Sequence, residues 1–403
     1  MSLSKRASQL MNHPSAIVAG IIKCNNDPYD AQTNPEGFLN FGTAENTLME
    51  DLLSKKLSSQ IEIKSEHIQY SGMDVPALRE TFSQFAMNHL NIEALKPENI
   101  VVQCGVSAIC EALSFTLFDE GDAIMIATPY YNGFEHDFTK RFKCEFVKVD
   151  LSPTNNFQHS IEAFEQAYNQ YPEPEKIKAV LICHPHNPTG EILSQEFMFS
   201  LLDFIQNKKL ELISDEIYAL STHCKERHQS LYQLARERKL PAHLLYGMAK
   251  DFAIAGFKVG FFYSEDNELV EAMSSLCYFH PVASLTQLAV ADLLSDEQFL
   301  HHYIELNQER LNKTKRDLIH RNDHLNFLPA EAGLFIVLDL SQWCESFEDE
   351  ERYHQFILDE LKINILKGRD LGLSKPGYFR VCFARPEDQI HTFSQRMQKL
   401  KRL

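Results

Sequence analysis

The chain has 403 residues, 44% hydrophobic and 24% charged, enough for a large buried core and two domains. Its 39 basic and 56 acidic residues give a formal charge of −17, and the isolated pairs Lys55–Lys56 and Lys208–Lys209 form no basic patch, which argues against a nucleic-acid partner. No apolar run has the length of a signal peptide or membrane span, and the nine cysteines contain no Cys-x-x-Cys pair; a reducing, cytoplasmic setting is expected, with no membrane, metal or disulfide framework.

Apolar, strand-like runs alternate with helical patterns. Ile100–Cys104 predicts a strand, followed by a helix over Ser107–Phe118. Further strands are predicted at Ala123–Ala127, Cys144–Val149 and Ala179–Cys183. A helix over Ser194–Gln206 leads into the strand Leu210–Ser214, and His243–Tyr246 and Phe257–Tyr263 complete the series. That order predicts an α/β fold, a three-layer, doubly wound, mostly parallel sheet covered on both faces. Between Ser284 and Leu325 there is neither proline nor glycine, which predicts one long helix with Leu285, Leu288, Ala289 and Leu293 on a common face. Beyond it Gly333–Leu338, Ile363–Leu366 and Tyr378–Phe383 predict the strands of a smaller α+β domain.

Three short segments carry the chemistry. In the run Tyr246–Gly260, Lys250 follows the apolar pair Leu244–Leu245 and precedes a glycine-relieved turn. A lysine at a strand end beside a cavity can form a Schiff base with a carbonyl cofactor. Upstream lie Asn187-Pro188-Thr189-Gly190 and Asp215-Glu216-Ile217-Tyr218, which supply what a pyridinium ring needs. Asp215 ends a predicted strand, where a carboxylate would keep the ring nitrogen protonated. Alone it reads as a helix cap; the company of Asn187, Tyr218 and Lys250 decides for the ring. Tyr218, read as one helical turn beyond Asp215, and the Asn187 amide would hydrogen-bond a cofactor phenolate. Taken singly, they read as a core tyrosine and a turn asparagine.

Gly105, Val106 and Ser107 lie between a strand and a helix, where amides and the positive dipole end suit a phosphate; Ser107 is equally an N-cap candidate. Pro129-Tyr130-Tyr131 offers an aromatic face for ring stacking. Arg380 sits among apolar neighbours in a predicted strand and must meet a carboxylate, either a substrate's or one of the chain's own 56 acids.

Asn187, Asp215, Tyr218 and Lys250 in this order resemble the pyridoxal-phosphate (PLP)-dependent class I/II aminotransferases, the aspartate aminotransferase fold, or PLP fold type I. Gly42-Thr43-Ala44-Glu45-Asn46-Thr47-Leu48, Tyr70-Ser71-Gly72, Thr128-Pro129-Tyr130-Tyr131-Asn132-Gly133-Phe134 and Gly377–Ala384 are similar to boxes of the aminocyclopropane-carboxylate synthase branch. The resemblance implies a large PLP-binding domain over 46–285 and a small domain from 1–45 and 286–403. It also implies a homodimer with shared active sites, in which Tyr70 reaches the neighbouring subunit's cofactor phosphate. The family places a serine three residues before the lysine and an arginine eight after it; here these are Gly247 and Lys258. Lys258 keeps the charge without the fork, and weaker cofactor retention is expected.

The leading expectation is amino transfer between amino acids and 2-oxo acids, with Lys250 moving the Cα proton and Arg380 holding the α-carboxylate. The alternative is a lyase acting on S-adenosylmethionine, its sulfonium met by Glu45, Tyr70 and Tyr131. A third reading is a catalytically idle PLP-binding protein, which Gly247 and Lys258 favour. No further arginine is evident for a distal carboxylate, so no dicarboxylate preference is read.

Overall fold

The computed structural model describes residues 3–4, 7–8, 16–58, 63, 65, 75–224 and 228–402. Its centre is a seven-stranded sheet. In chain order, after the short strand β1 (Leu39–Asn40), its strands are β2 (Ile100–Gln103), β3 (Ala123–Thr128), β4 (Glu145–Asp150), β5 (Ile177–Cys183), β6 (Glu211–Asp215), β7 (Ala242–Gly247) and β8 (Gly260–Ser264). They lie in the order β2-β8-β7-β6-β5-β3-β4, all parallel except β8, which runs antiparallel to both neighbours. The central strands are buried along their length, so their residues read as continuous apolar runs.

Alternate side chains on each strand enter different cores. From β3, Ala123, Met125 and Ala127 join the layer that holds Phe82, Phe85 and Leu201. Ile124 and Ile126 face Ile109, Leu113 and Met273 on the other side. Helices α1 (Pro76–His89) and α3 (Gln195–Lys208) therefore cover one face, and α2 (Val106–Leu117) the other. That is the three-layer arrangement expected from the alternating pattern.

The stretch after Ser284 differs from its expectation. Two helices, α4 (Ser284–Ser295) and α5 (Glu297–Arg321), meet at Asp296, whose ψ of 81° leaves the helical region. The Asp296 side chain accepts from the Phe299 amide at 3.0 Å and caps α5, and Lys56 pairs with it at 2.7 Å. The buried side of α4 is also broader than predicted. Gln287, Ala289, Val290, Leu293 and Leu294 are buried, whereas Leu285 and Leu288 are only half-buried.

Past α5, strands β9 (Asn326–Phe327), β10 (Phe335–Asp339), β12 (Leu366–Lys367) and β13 (Tyr378–Cys382) form an antiparallel sheet in the order β12-β13-β10-β9. The predicted strand Ile363–Leu366 is split. Its first half, β11 (Ile363–Asn364), pairs in parallel with β1, and its last residue begins β12. Leu39 and Phe41 thereby pack with Phe335, Phe379 and Phe393 in a separate core. Among the described residues no helix is long and apolar enough to cross a membrane, and all nine cysteines are free thiols.

One close approach joins the sheet to α2. A Cβ at Gly260, the first residue of β8, would lie 2.6 Å from the Gly105 carbonyl carbon and 2.7 Å from the Val106 nitrogen. Both are backbone atoms that cannot swing away. Gly260→Ala is expected to lose about 2–3 kcal/mol of stability in urea unfolding. An unchanged midpoint would show that this contact does not hold the loop.

Candidate active site

Parallel strands deliver side chains to the crevice beyond their carboxyl ends, and this sheet does so five times. Strand β2 leads to Gly105, β3 to Tyr131, β5 to Asn187, β6 to Asp215 and β7 to Lys250. Strand β8 runs the opposite way, so Lys258, just before its start, arrives at the same end. The residues meet around a cavity of about 210 Å³. Of the residues expected from the sequence, Gly105, Val106, Ser107, Tyr131, Asn187, Asp215, Tyr218, Lys250 and Lys258 line it. Tyr70 lies outside the described residues.

Gly105 adopts φ 99° and ψ 165°, a conformation open to glycine, and α2 begins one residue earlier than predicted. Gly105 is therefore the N-cap, and Ser107 is not. The Ser107 side chain instead shares the cavity wall with Asp137, an acid that the sequence reading did not single out, and favours its ionised form.

Asp215 is the last residue of β6, and among the described residues the next helix begins at Leu231. Its carboxylate accepts from the Ile217 amide at 3.3 Å. Burial raises its pKa to about 7, against the pull of Lys250. Residues 217–220 form a turn rather than the helix assumed for Tyr218. That turn still brings Tyr218 to the cavity, where its ring meets Phe335 edge-on at 5.3 Å. Tyr130 and Tyr131 divide the two roles weighed for them. Tyr130 is buried against Phe146 with its hydroxyl on Glu135, and Tyr131 lines the cavity.

Lys250 donates to the Ala44 carbonyl. Burial, then the charge of Arg380, lowers its pKa to about 8, so its amine loses the proton far more readily than a solvated lysine. The next residue, Asp251, is buried and accepts from the Leu220 amide, the Ser221 hydroxyl and the Tyr246 hydroxyl at 3.0, 2.7 and 3.0 Å. It pins the turn that aims Lys250.

Arg380, in the middle of β13, pairs with no acid among the described residues. Its Nη1 donates to Asn187 Oδ1 at 3.1 Å and Nη2 to the Gly42 carbonyl at 2.6 Å, while the buried Nε has no partner. The internal ion pair considered from the sequence is therefore absent. Asn187 accepts through Oδ1, which leaves its NH2 free to donate.

The segment carrying Asn187 is held from behind. His186 Nδ1 lies 2.8 Å from Thr189 Oγ1, and His159 Nδ1 lies 2.7 Å from Glu191 Oε2. Glu45 sits differently from its expectation as a cavity residue. Its carboxylate is half-exposed, 4.0 Å from Arg385 Nη1, and does not line the cavity.

A family model described as aminotransferase class I and II matches residues 36–397. The chain is 33% identical over 427 residues to 1-aminocyclopropane-1-carboxylate synthase 8 of Arabidopsis thaliana, covering 99% of this chain and 90% of that one. It is 31% identical to a protein named "Probable aminotransferase ACS12" from the same plant, covering 94% and 81%. Among solved structures, Thermus thermophilus aspartate aminotransferase with maleate has a TM-score of 0.80 at 20% identity over 98% of this chain and 99% of that one, a likeness of fold.

Position 247 shows why a serine is missing there. A Cβ on Gly247 would lie 2.8 Å from Val106 Cγ2 and 3.2 Å from the Val259 carbonyl oxygen, so the Val106 methyl fills the space a hydroxymethyl group would take. Gly247→Ser alone is expected to cost about 1–2 kcal/mol, and Val106→Ala in the same chain to recover most of it. A double-mutant cycle by chemical unfolding reads this directly; additive losses would mean the two positions are independent.

Proposed function

The chain belongs to the class I and II aminotransferases, a PLP-dependent family, and from that premise we propose that it is an amino-acid aminotransferase, moving an α-amino group to a 2-oxo acid. The observation that carries this reading is Arg380, buried with an unpartnered Nε and, among the described residues, no acid beside it, and bonded to Asn187 on the wall of the cavity that holds Lys250 and Asp215. A desolvated guanidinium without a counter-ion is a site for a carboxylate.

The cavity's donor set fits PLP. Lys250 would carry its aldehyde, Asp215 would face its ring nitrogen, and Tyr218 and the Asn187 NH2 would face its phenolic oxygen. The amides at the start of α2, with Lys258, would take its phosphate. When bound, this cofactor supplies an electron sink for charge developing at the substrate Cα. Arg380 orients the substrate by its α-carboxylate. Lys250 Nζ, lowered toward neutrality, takes the Cα proton and returns one. Asp215, at the end of β6, would meet the proton on the ring nitrogen.

A lyase acting on S-adenosylmethionine is the second reading, favoured by the name of the synthase relative. Glu45 stands beside Arg385 outside the cavity lining, and we rank this reading behind transamination although the Glu45 charge also acts on Lys250. For assembly we propose a homodimer, with Tyr70 serving the neighbouring subunit. The exposed aromatic side chains Phe115, Tyr278 and Phe279 support such a contact.

Reduction of PLP-loaded protein with borohydride should leave the pyridoxyl group on Lys250 by peptide mass spectrometry, and on nothing in Lys250→Ala. The attachment rate should rise through a midpoint near pH 8, as the amine deprotonates. With a panel of amino acids, 2-oxo acid should form together with pyridoxamine phosphate. Methylthioadenosine from S-adenosylmethionine would replace this reading with the lyase, and no product from any substrate would favour an idle binding protein. Arg380→Lys should lower kcat/KM for the amino acid about 100-fold, since the planar fork is lost.

A further inference from the structure

The cofactor cavity contains an acid to which the reading above gives no task. Asp137 belongs to the short turn Glu135–Thr139 and shares the cavity wall with Gly105, Ser107 and Lys258. Among the described residues Ser107 is the one aliphatic hydroxyl lining the cavity, because Gly247 and Ala249 carry none, and Asp137 stands on the same wall within its influence. Apart from Lys250, Lys258 is the one described cation on that lining. A phosphate placed there meets a carboxyl group that lies on the same wall as that hydroxyl.

We propose that Asp137 competes with the cofactor phosphate for Ser107 and the amino end of α2, so that this chain grips the phosphate firmly only while Asp137 is protonated and otherwise exchanges its cofactor. This rests on the assignment of the cavity to PLP.

The surroundings favour the protonated form. From α2, Cys110 and Glu111 face the Asp137 turn, with Glu111 itself paired to Arg141 and His280. Asp215 acts on it from β6, Tyr131 lies on the preceding loop, and Glu135 and His136 flank it on its own turn. Lys258 is the opposing positive charge on the cavity lining. Burial, with Asp215 and Glu111, raises the Asp137 pKa to about 8 despite the opposing influence of Ser107. Below that pH its O–H can donate to a phosphate oxygen; above it two anions repel each other across one cavity wall. Phosphate affinity therefore falls as pH rises past 8. A bound dianion holds the proton on Asp137 more tightly, which links binding to proton uptake.

Comparing PLP with pyridoxal isolates the phosphate contribution, because the lysine and ring contacts are common to both. Dissociation constants for each are read by absorbance titration of the intact protein at pH 7 and pH 9, where the phosphate stays close to a dianion. In the wild type the pyridoxal-to-PLP ratio should fall about tenfold between these values. In Asp137→Asn it should stay level and, at pH 9, exceed the wild-type ratio about tenfold. Pyridoxal affinity serves as the control for a folded site, and Asp137→Ser is read the same way should the Asn variant not fold. A level wild-type ratio, or a variant ratio at or below the wild type at pH 9, overturns the proposal while leaving the cofactor assignment standing. Failure of both aldehydes to bind saturably in the wild type overturns that assignment and this inference with it.

Discussion

The arrangement depends on one buried charge without a counter-charge. Arg380 is 3% exposed, lies over the Phe335 ring, hydrogen-bonds among the described residues to one amide and one carbonyl oxygen, and keeps one nitrogen unbonded. Removing a guanidinium from water is costly, and two neutral acceptors offset part of that cost. The remainder shows in its surroundings: Arg380 is the second cause, after burial, of the lowered Lys250 pKa. A carboxylate arriving at Arg380 would therefore act on the lysine as well, by cancelling the charge that disfavours its protonation. On the proposed reading, substrate binding and proton transfer would be coupled through a single electrostatic field.

That field exists because two sheets with different logic meet. The seven-stranded sheet presents loop after loop at one end because all strands but β8 run the same way. The antiparallel sheet beyond α5 contributes Arg380 from mid-strand, where its backbone pairs with Val337 and Leu366 on either side. A side chain fixed by two ladders has little freedom, so Asn187 and Gly42 can be placed to meet it. The N-terminal segment is drawn in by β1 pairing with β11, which sets Gly42 and Ala44 over Arg380 and Lys250.

Much of this was legible in the sequence, for a physical reason. Parallel strands buried on both faces appear as apolar runs, and the chemistry lies just past their ends, so Asn187, Asp215 and Lys250 stand where the pattern changes. Contacts that arise only from folding were not legible. Nothing local places Asp137 near Ser107, since the two are separated by the rest of α2, strand β3 and two loops. The turn at 217–220 was read as a helix because Tyr218 lies three residues beyond Asp215, a spacing that turn and helix share. The break at Asp296 did carry a signal, an aspartate followed by an acidic first turn, but the lack of proline and glycine outweighed it.

Departures from the family pattern are likewise coupled, which bears on whether this site is degraded or rebuilt. A glycine at 247 taken alone reads as the loss of a hydroxyl. With Val106 in view it is one half of an apolar contact, since a side chain there would meet the valine methyl at 2.8 Å. A decaying site accumulates changes that leave gaps; here the space is filled and α2 still begins against β8 through Gly260. What has changed is the kind of donor. The Val106 methyl stands where a hydroxyl would be, and a flexible lysine, held in a left-handed turn at φ 54°, where a rigid fork would be. On the proposed assignment of this cavity to the cofactor, the phosphate would rest on the amides at the start of α2 and on Lys258, and the departures would bear on retention of the cofactor rather than on Lys250, Asp215 and Arg380.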